Sequence, residues 1–151
     1  QKVLHKKFAS QLIIRCKEIF DSEKNLVEIN IPEDGTHEIT VCGDVHGQFY
    51  DLLNIFAING NPSENNPYLF NGDFVDRGSF AVEVIVLLMA WKVLYPKHFF
   101  MSRGNHESKN LNKMYGFENE VKHKYDMKTY ELFSEMFCTL PIAHVINGQV
   151  L

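Results

Sequence analysis

An α/β fold follows from three features of this sequence. Short apolar stretches of strand length recur, and several of them close on a glycine-flanked polar loop. Amphipathic or wholly apolar stretches of helix length alternate with them. Hydrophobic residues make up 45% of the 151 residues, enough for a real core in one domain.

The first element is an amphipathic helix over about 2–20. Phe8, Leu12, Cys16 and Ile19 fall at helical spacing, with lysines and Arg15 on other faces. Those basic residues read as a solvated face. Val27, Ile29 and Ile31 alternate with Glu28 and Asn30, the pattern of a half-buried strand. Pro32-Glu33-Asp34-Gly35 turns the chain, and 39–42 forms the next strand. Its loop, Gly43-Asp44-Val45-His46-Gly47, leads into a helix carrying Phe49, Leu52, Leu53 and Phe56 on one face. Gly60 closes that helix, and 61–67 is a polar loop.

Tyr68-Leu69-Phe70 is a short buried strand, followed by the loop Asn71-Gly72-Asp73-Phe74-Val75-Asp76-Arg77-Gly78. The apolar stretch over 80–94 is too long for one strand and is read as a buried helix, with Trp91 packed inside and Pro96 as its stop. A third strand over 98–101 ends in Arg103-Gly104-Asn105-His106-Glu107. Helical stretches follow, the second lined by Tyr130, Phe133, Phe137 and Leu140 and stopped by Pro141. A strand over 142–146, the turn Asn147-Gly148 and a returning strand over 149–151 finish the sequence.

Several classes are disfavoured. A formal charge of −4 argues against a nucleic-acid groove, which needs a basic stripe. The longest apolar run, 84–91, falls far short of the ~20 residues that span a bilayer. No signal peptide, internal repeat or low-complexity segment is visible. Cys16, Cys42 and Cys138 form no C-x-x-C pair and read as buried small hydrophobes in a reducing compartment. The sequence opens on Gln1 and stops inside a hairpin, so 1–151 is expected to be a partial catalytic domain truncated at both ends.

The three loops carry the chemistry. If their strands are neighbours, they converge at one sheet edge and bring Asp44, His46, Asp73 and Asn105 together. This oxygen and nitrogen set, without thiolate, suits manganese, iron or zinc at a reactive centre. A carboxylate on the central loop could bridge two ions, because its oxygens offer about four lone-pair sites. Two metals ~3.5–4 Å apart are a recurring solution for phosphate-ester hydrolysis. Arg77 and Arg103 flank the same loops, and guanidinium forks fit phosphate oxygens. His46 and His106 have chemical neighbours. His5, His37, His98, His123 and His144 have none and read as surface or satisfied positions. Glu107 is either a loop anchor or a catalytic group.

Gly-Asp-x-His-Gly, Gly-Asp-x-Val-Asp-Arg-Gly and Gly-Asn-His-Glu, in this order, resemble the signature of the phosphoprotein serine/threonine phosphatases. The likeness covers nearly the whole chain, including 48–56, 115–118 and 130–135. It implies a calcineurin-like metallophosphoesterase β-sandwich flanked by helices, of which this chain would hold about the first half. The implied reaction is hydrolysis of phosphoserine and phosphothreonine in proteins by a hydroxide activated between two metals, without a phosphoenzyme. Asp44 and His46 would bind the first metal, Asp73 would bridge both, and Asn105 would bind the second, with manganese the usual ion in vitro. Arg77 and Arg103 would hold the phosphate. His106 would protonate the leaving oxygen, oriented by Asp76.

Ser102 departs from the resemblance, standing where relatives usually have an apolar residue. The likeness also implies further metal-binding histidines and another arginine beyond Leu151, so the isolated chain is expected to show little activity. Within the family the match is to a branch that binds Hsp90 through a tetratricopeptide-repeat domain, absent from this chain, and that is cytoplasmic and nuclear. Two alternatives stand beside this reading: another metallophosphoesterase, such as a nuclease or nucleotide hydrolase, and a non-catalytic binding segment. The Asp76-Arg77 pair and the acidic charge disfavour the first of these.

Overall fold

A computed structural model describes residues 3–32, 34 and 37–150. The turn expected over 32–35 lies partly outside these residues, as do Lys2 of the first helix and Leu151 of the last strand. Among the described residues the chain order is α1 (Lys6–Asp21), β1 (Leu26–Ile29), β2 (Thr40–Cys42), α2 (Phe49–Asn59), β3 (Tyr68–Phe70), α3 (Ala81–Leu94), β4 (Phe99–Met101), α4 (Lys109–Tyr115), α5 (Phe117–Lys124), α6 (Met127–Phe137), β5 (Ala143–Ile146) and β6 (Gln149–Val150).

The three strands that end in the polar loops form one parallel sheet, β2-β3-β4, with Val41 opposite Leu69 and Leu69 opposite Phe100. A second sheet has the order β1-β5-β6, in which β1 and β5 are parallel and β5 and β6 antiparallel. Side-chain alternation along β3 and β4 builds the sandwich. Tyr68, Phe70, Phe99 and Met101 point into the core shared with the helices. Leu69 and Phe100 point the other way, onto Ile29 of β1 with Val27, Ile31, Ile39 and Ile146 around them. β3 and β4 are buried on both faces, which is why they read as continuous apolar runs.

Helix α3 is apolar on nearly every face and lies at the centre of the helical layer, packed on α1, α2 and α5. Its N-terminus is capped from a distance: Glu120 accepts the N–H groups of Ala81 and Val82 at 3.2 and 2.9 Å. This carboxylate satisfies two of the unpaired amides at the helix start and meets the positive end of its dipole. Near the other end Lys92 is fully buried, with Glu23 Oε1 at 2.6 Å and the Pro96 carbonyl at 3.0 Å. Helix α6 buries Tyr130, Phe133 and Phe137, with Leu140 just beyond, as the periodicity requires.

Helix α1 is turned relative to the sequence reading. Its buried stripe is Ala9, Ile13, Cys16 and Phe20, while Phe8 is 56% exposed. The apolar arc is broader than one stripe, and its centre, rather than the edge carrying Phe8, meets α3 and α6. Cys138 also departs from expectation. Cys16 and Cys42 are buried, and desolvation pushes their thiols up to about 12 and about 11, but Cys138 is exposed at the end of α6. No helix among the described residues is long and apolar enough to cross a membrane.

Ser102 has a partner of its own. Its Oγ lies 2.9 Å from Nδ1 of His144, and both residues are buried between β4 and β5. The second ring nitrogen, Nε2, has no partner. A buried lone pair costs less than a buried unpaired N–H, so the tautomer with hydrogen on Nδ1 fits best. Desolvation, and then the Lys92 charge, hold the ring down to about 4 from an ordinary 6.5. Between those two values the unfolded chain takes up a proton that the folded chain refuses. Stability therefore falls as pH drops from about 6.5 toward 4. Replacing His144 by Gln is expected to flatten the pH dependence of the melting temperature in that window. Thermal melts of both proteins at matched ionic strength check it, and identical slopes would remove His144 as a source.

Candidate active site

The parallel sheet brings the three polar loops to one edge, as open α/β architectures do. Backbone bonds then tie them together. The N–H groups of Val45 and His46 both donate to the Asp73 carbonyl, at 3.1 and 3.0 Å. Gly47 N–H donates to Phe74 and Gly78 N–H to His46, each at 3.0 Å. Two glycines permit this closeness. A Cβ on Gly78 would stand 2.2 Å from the His46 carbonyl oxygen, and one on Gly104 would stand 2.2 Å from Asp73 Oδ1. Left-handed backbone concentrates here as well: φ is 44° at His46, 52° at Asp73, 69° at Asp76 and 66° at Arg77. Non-glycine residues adopt such angles at a cost, and they persist where surrounding contacts enforce them.

Glu107 supplies much of that enforcement. Fully buried, it takes the N–H groups of Asp73 and Gly104 on Oε2 at 2.8 and 2.9 Å, and that of Phe74 on Oε1 at 2.9 Å. Burial pushes its carboxyl up to about 7, while the three donors pull the other way. A protonated oxygen would turn its own hydrogen toward those N–H groups, so the geometry fits the ionised form. Of the two roles open in the sequence, Glu107 takes that of loop anchor.

Asp44, His46 and Asp73 present ligand atoms that all lie within 4.8 Å of one another. His46 Nδ1 is 2.8 Å from the Val75 carbonyl. A carbonyl only accepts, so Nδ1 carries the hydrogen and the Nε2 lone pair is left for the cluster, 3.6 Å from Asp44 Oδ2. Asn105 faces the same place. Its amide nitrogen, turned toward Asp73, donates to Oδ1 and Oδ2 at 3.2 and 2.9 Å. The donor set and its spacing fit a metal-binding site.

Beside this cluster lies a buried pair. His106 Nδ1 is 2.8 Å from Asp76 Oδ2, with both side chains almost wholly enclosed. Asp76 also accepts from Asn112 Nδ2 at 3.0 Å and from the Phe117 N–H at 2.9 Å. The His106 backbone N–H donates to Asp73 Oδ1 at 2.8 Å, and the rings of His46 and His106 meet edge to face at 4.7 Å. Arg77 is exposed; its Nη2 lies 3.3 Å from His106 Nε2, and its guanidinium lies 5.7 Å from the Tyr115 ring centre.

Arg103, expected as a second phosphate ligand, packs against the third loop and the end of α6. Its Nε donates to the Glu107 carbonyl at 3.1 Å, and its Nη2 lies 3.7 Å from Cys138 Sγ. The guanidinium braces the third loop against the end of α6. Spacing along the sequence places Arg103 beside the loop but gives no side-chain direction. Asn112, Tyr115 and the Phe117 amide also went unnoticed as neighbours of the site. The only cue was Gly116, whose φ of 115° breaks α4 from α5 and turns the Phe117 N–H onto Asp76.

The model of the Calcineurin-like phosphoesterase family matches residues 37–151. The chain is 61% identical over 151 residues to human serine/threonine-protein phosphatase 5, covering all of this chain and 30% of that protein. It is 60% identical over 150 residues to serine/threonine-protein phosphatase 5 of Arabidopsis thaliana, covering 99% of this chain and 28% of that one. A solved Saccharomyces cerevisiae protein serine/threonine phosphatase, described as similar to human phosphatase PP5, superposes with a TM-score of 0.94 at 46% identity, over 97% of this chain and 46% of that one. The chain thus spans about 30% of the length of the curated relatives it matches. The resemblance read from the three loops is borne out, down to its branch.

Replacing Glu107 by Gln puts an amide where a carboxylate receives three N–H groups. The expected loss is about 1.5–3 kcal/mol of unfolding free energy, the range for hydrogen bonds to a charged group. Urea denaturation measures it, and an unchanged midpoint would show that the ionised carboxylate is not the anchor.

Proposed function

This chain belongs to the calcineurin-like phosphoesterase family, and we propose that the intact protein is a metal-dependent phosphatase acting on phosphoserine and phosphothreonine in proteins. One junction carries the reading. Asp73 is the central carboxylate of the cluster with Asp44 and His46, and its Oδ1 accepts the backbone N–H of His106, whose ring is paired to buried Asp76. A cation site and a positioned imidazole therefore share one contact. The relatives' names, protein serine/threonine phosphatases at 60 and 61% identity, support the substrate class over a nuclease or a nucleotide hydrolase.

In this reading Asp44 and His46 hold one metal, Asp73 bridges to a second, and Asn105 holds the second. Manganese, iron or zinc suits these donors, with manganese the ion to try first. Such ions, when bound, stabilise charge on the phosphoryl oxygens and lower the pKa of a water. Arg77, exposed at the rim beside His106 and Tyr115, would turn from that contact onto a phosphate oxygen, and Arg103, which braces the third loop through Nε, would offer its remaining donors to the phosphate. The acid step requires a proton on Nε2 of His106 as well as on Nδ1, and so requires Nε2 to leave the Arg77 guanidinium that it faces at 3.3 Å. As the bond from phosphorus to the seryl oxygen breaks and one to a water-derived oxygen forms, the departing electron pair takes the Nε2 proton. Asp76 keeps Nδ1 protonated throughout and fixes the ring plane. Hsp90 as a partner and a cytoplasmic and nuclear location belong to the same reading and rest on the sequence resemblance.

Two outcomes are expected of the intact protein. Asp73→Asn should impair retention of both metals, and Asp44→Asn mainly of one. Metal analysis after dialysis decides, and two ions held at wild-type affinity in the Asp73 variant would refute bridging. His106→Asn should slow a phosphoserine peptide by the ~10²–10⁴-fold typical of a lost general acid, and para-nitrophenyl phosphate far less, since nitrophenolate leaves without a proton. Metal content should stay unchanged. Equal losses on both substrates would show that His106 acts in another way.

A further inference from the structure

Asn112 is fully buried on α4 and would be expected to be a packing residue from its place in the sequence. Its amide nitrogen makes two contacts, both to the Asp76–His106 pair. It donates to Asp76 Oδ2 at 3.0 Å and to the His106 backbone carbonyl at 2.6 Å. Both amide hydrogens are used, one on each partner. Oδ2 is also the oxygen facing His106 Nδ1 at 2.8 Å, while Oδ1 is taken by the Phe117 N–H.

We propose that Asn112 is a positioning residue for the acid step, clamping Asp76 and His106 to each other through one amide. This rests on the reading of His106 as general acid. The physical argument is directional. A carboxylate with one oxygen fixed by Phe117 could still rotate about its side chain, and with it the imidazole. The Asn112 amide closes that freedom, because it ties the carboxylate to the backbone of the residue whose ring the carboxylate holds. Only an amide or a comparable double donor of this length bridges both. A single hydroxyl reaches one of them. Two donors on Oδ2 also keep the carboxylate acceptor-only, so the hydrogen stays on Nδ1 and Nε2 is the nitrogen that serves the leaving group.

The test uses the intact, metal-loaded protein and compares a phosphoserine peptide with para-nitrophenyl phosphate. Asn112→Leu has nearly the same shape and no donor. It should lower kcat on the peptide by about 10-fold or more and kcat on the nitrophenyl ester by less than about 3-fold, a fraction of what a general acid supplies. Asn112→Thr keeps one donor and should fall between, which preserves the test if the leucine variant folds poorly. Proton NMR supplies a readout apart from turnover: the downfield resonance of the His106 Nδ1–H should broaden or shift in both variants. A merely structural role would depress both substrates in proportion and leave that resonance in place, and that result overturns the proposal. His106→Asn run alongside separates the two levels. If it is selective between substrates and the Asn112 variants are not, Asn112 fails and the general-acid reading stands. If it is not selective, both fall.

Discussion

The site depends on one carboxylate that touches no substrate. Glu107 gathers three backbone N–H groups from two loops, and without it Phe74 would present an unpaired donor in a buried place and Asp73 and Gly104 would do so in partly buried ones. The strands can bring the loops to one edge, but a sheet edge alone leaves loops free to splay. Here the third loop donates its side chain back into the second. The left-handed backbone at Asp73 follows from this clamp, because the residue must offer its N–H to Glu107 and its carbonyl to the first loop at once. Gly104 is required for the same reason: the two loops pass so close that a methyl group would strike the Asp73 carboxylate.

Among the described residues, left-handed non-glycine backbone gathers where the chemistry is, with Asn147 of the β5–β6 turn the exception. His46, Asp73, Asp76 and Arg77 all have positive φ, and each is held by long-range bonds rather than by its neighbours in sequence. Gly78 N–H binds the His46 carbonyl, Tyr115 accepts the Arg77 N–H at 3.1 Å, and Phe117 donates to Asp76. Such angles cost about 1–3 kcal/mol apiece. A core that includes both faces of β3 and β4 and half of α3 can offset that.

Much of the fold was legible because strong periodicity and punctuation agreed. Gly60 and Pro96 marked helix ends, β3 was a pure apolar run, and α6 showed its stripe outright. The site elements were legible too, since glycine-flanked acidic loops after strands have few other uses. What failed was direction. The apolar arc of α1 exceeded one stripe, so its centre could not be picked without knowing that α3 and α6 press on it. Arg103 stands next to the site in sequence, yet its guanidinium turns toward Cys138 and the Glu107 carbonyl. Asn112 gave no sign, because a buried amide inside a short helix looks like any polar helix residue until its partners are known. Ser102 seemed a packing fault only while His144 was unplaced.

Three aspartates at or beside the cluster end with three capacities, and the difference lies in how many lone pairs each has left. Asp44 is the most open, with 65% of its side chain exposed, so its oxygens remain available to an incoming cation. Asp73 gives one oxygen to the His106 N–H and meets the Asn105 amide with both, so only part of its lone pairs is left for a cation. Asp76 has nothing to offer a metal: His106, Asn112 and the Phe117 amide take both its oxygens, and it is buried behind the imidazole. What it can do is orient that imidazole. The same side chain is thus left open, partly occupied or fully occupied according to the donors the fold sends to it. Those donors come from α4, the α4–α5 junction and the third loop, none of which carries the aspartates themselves.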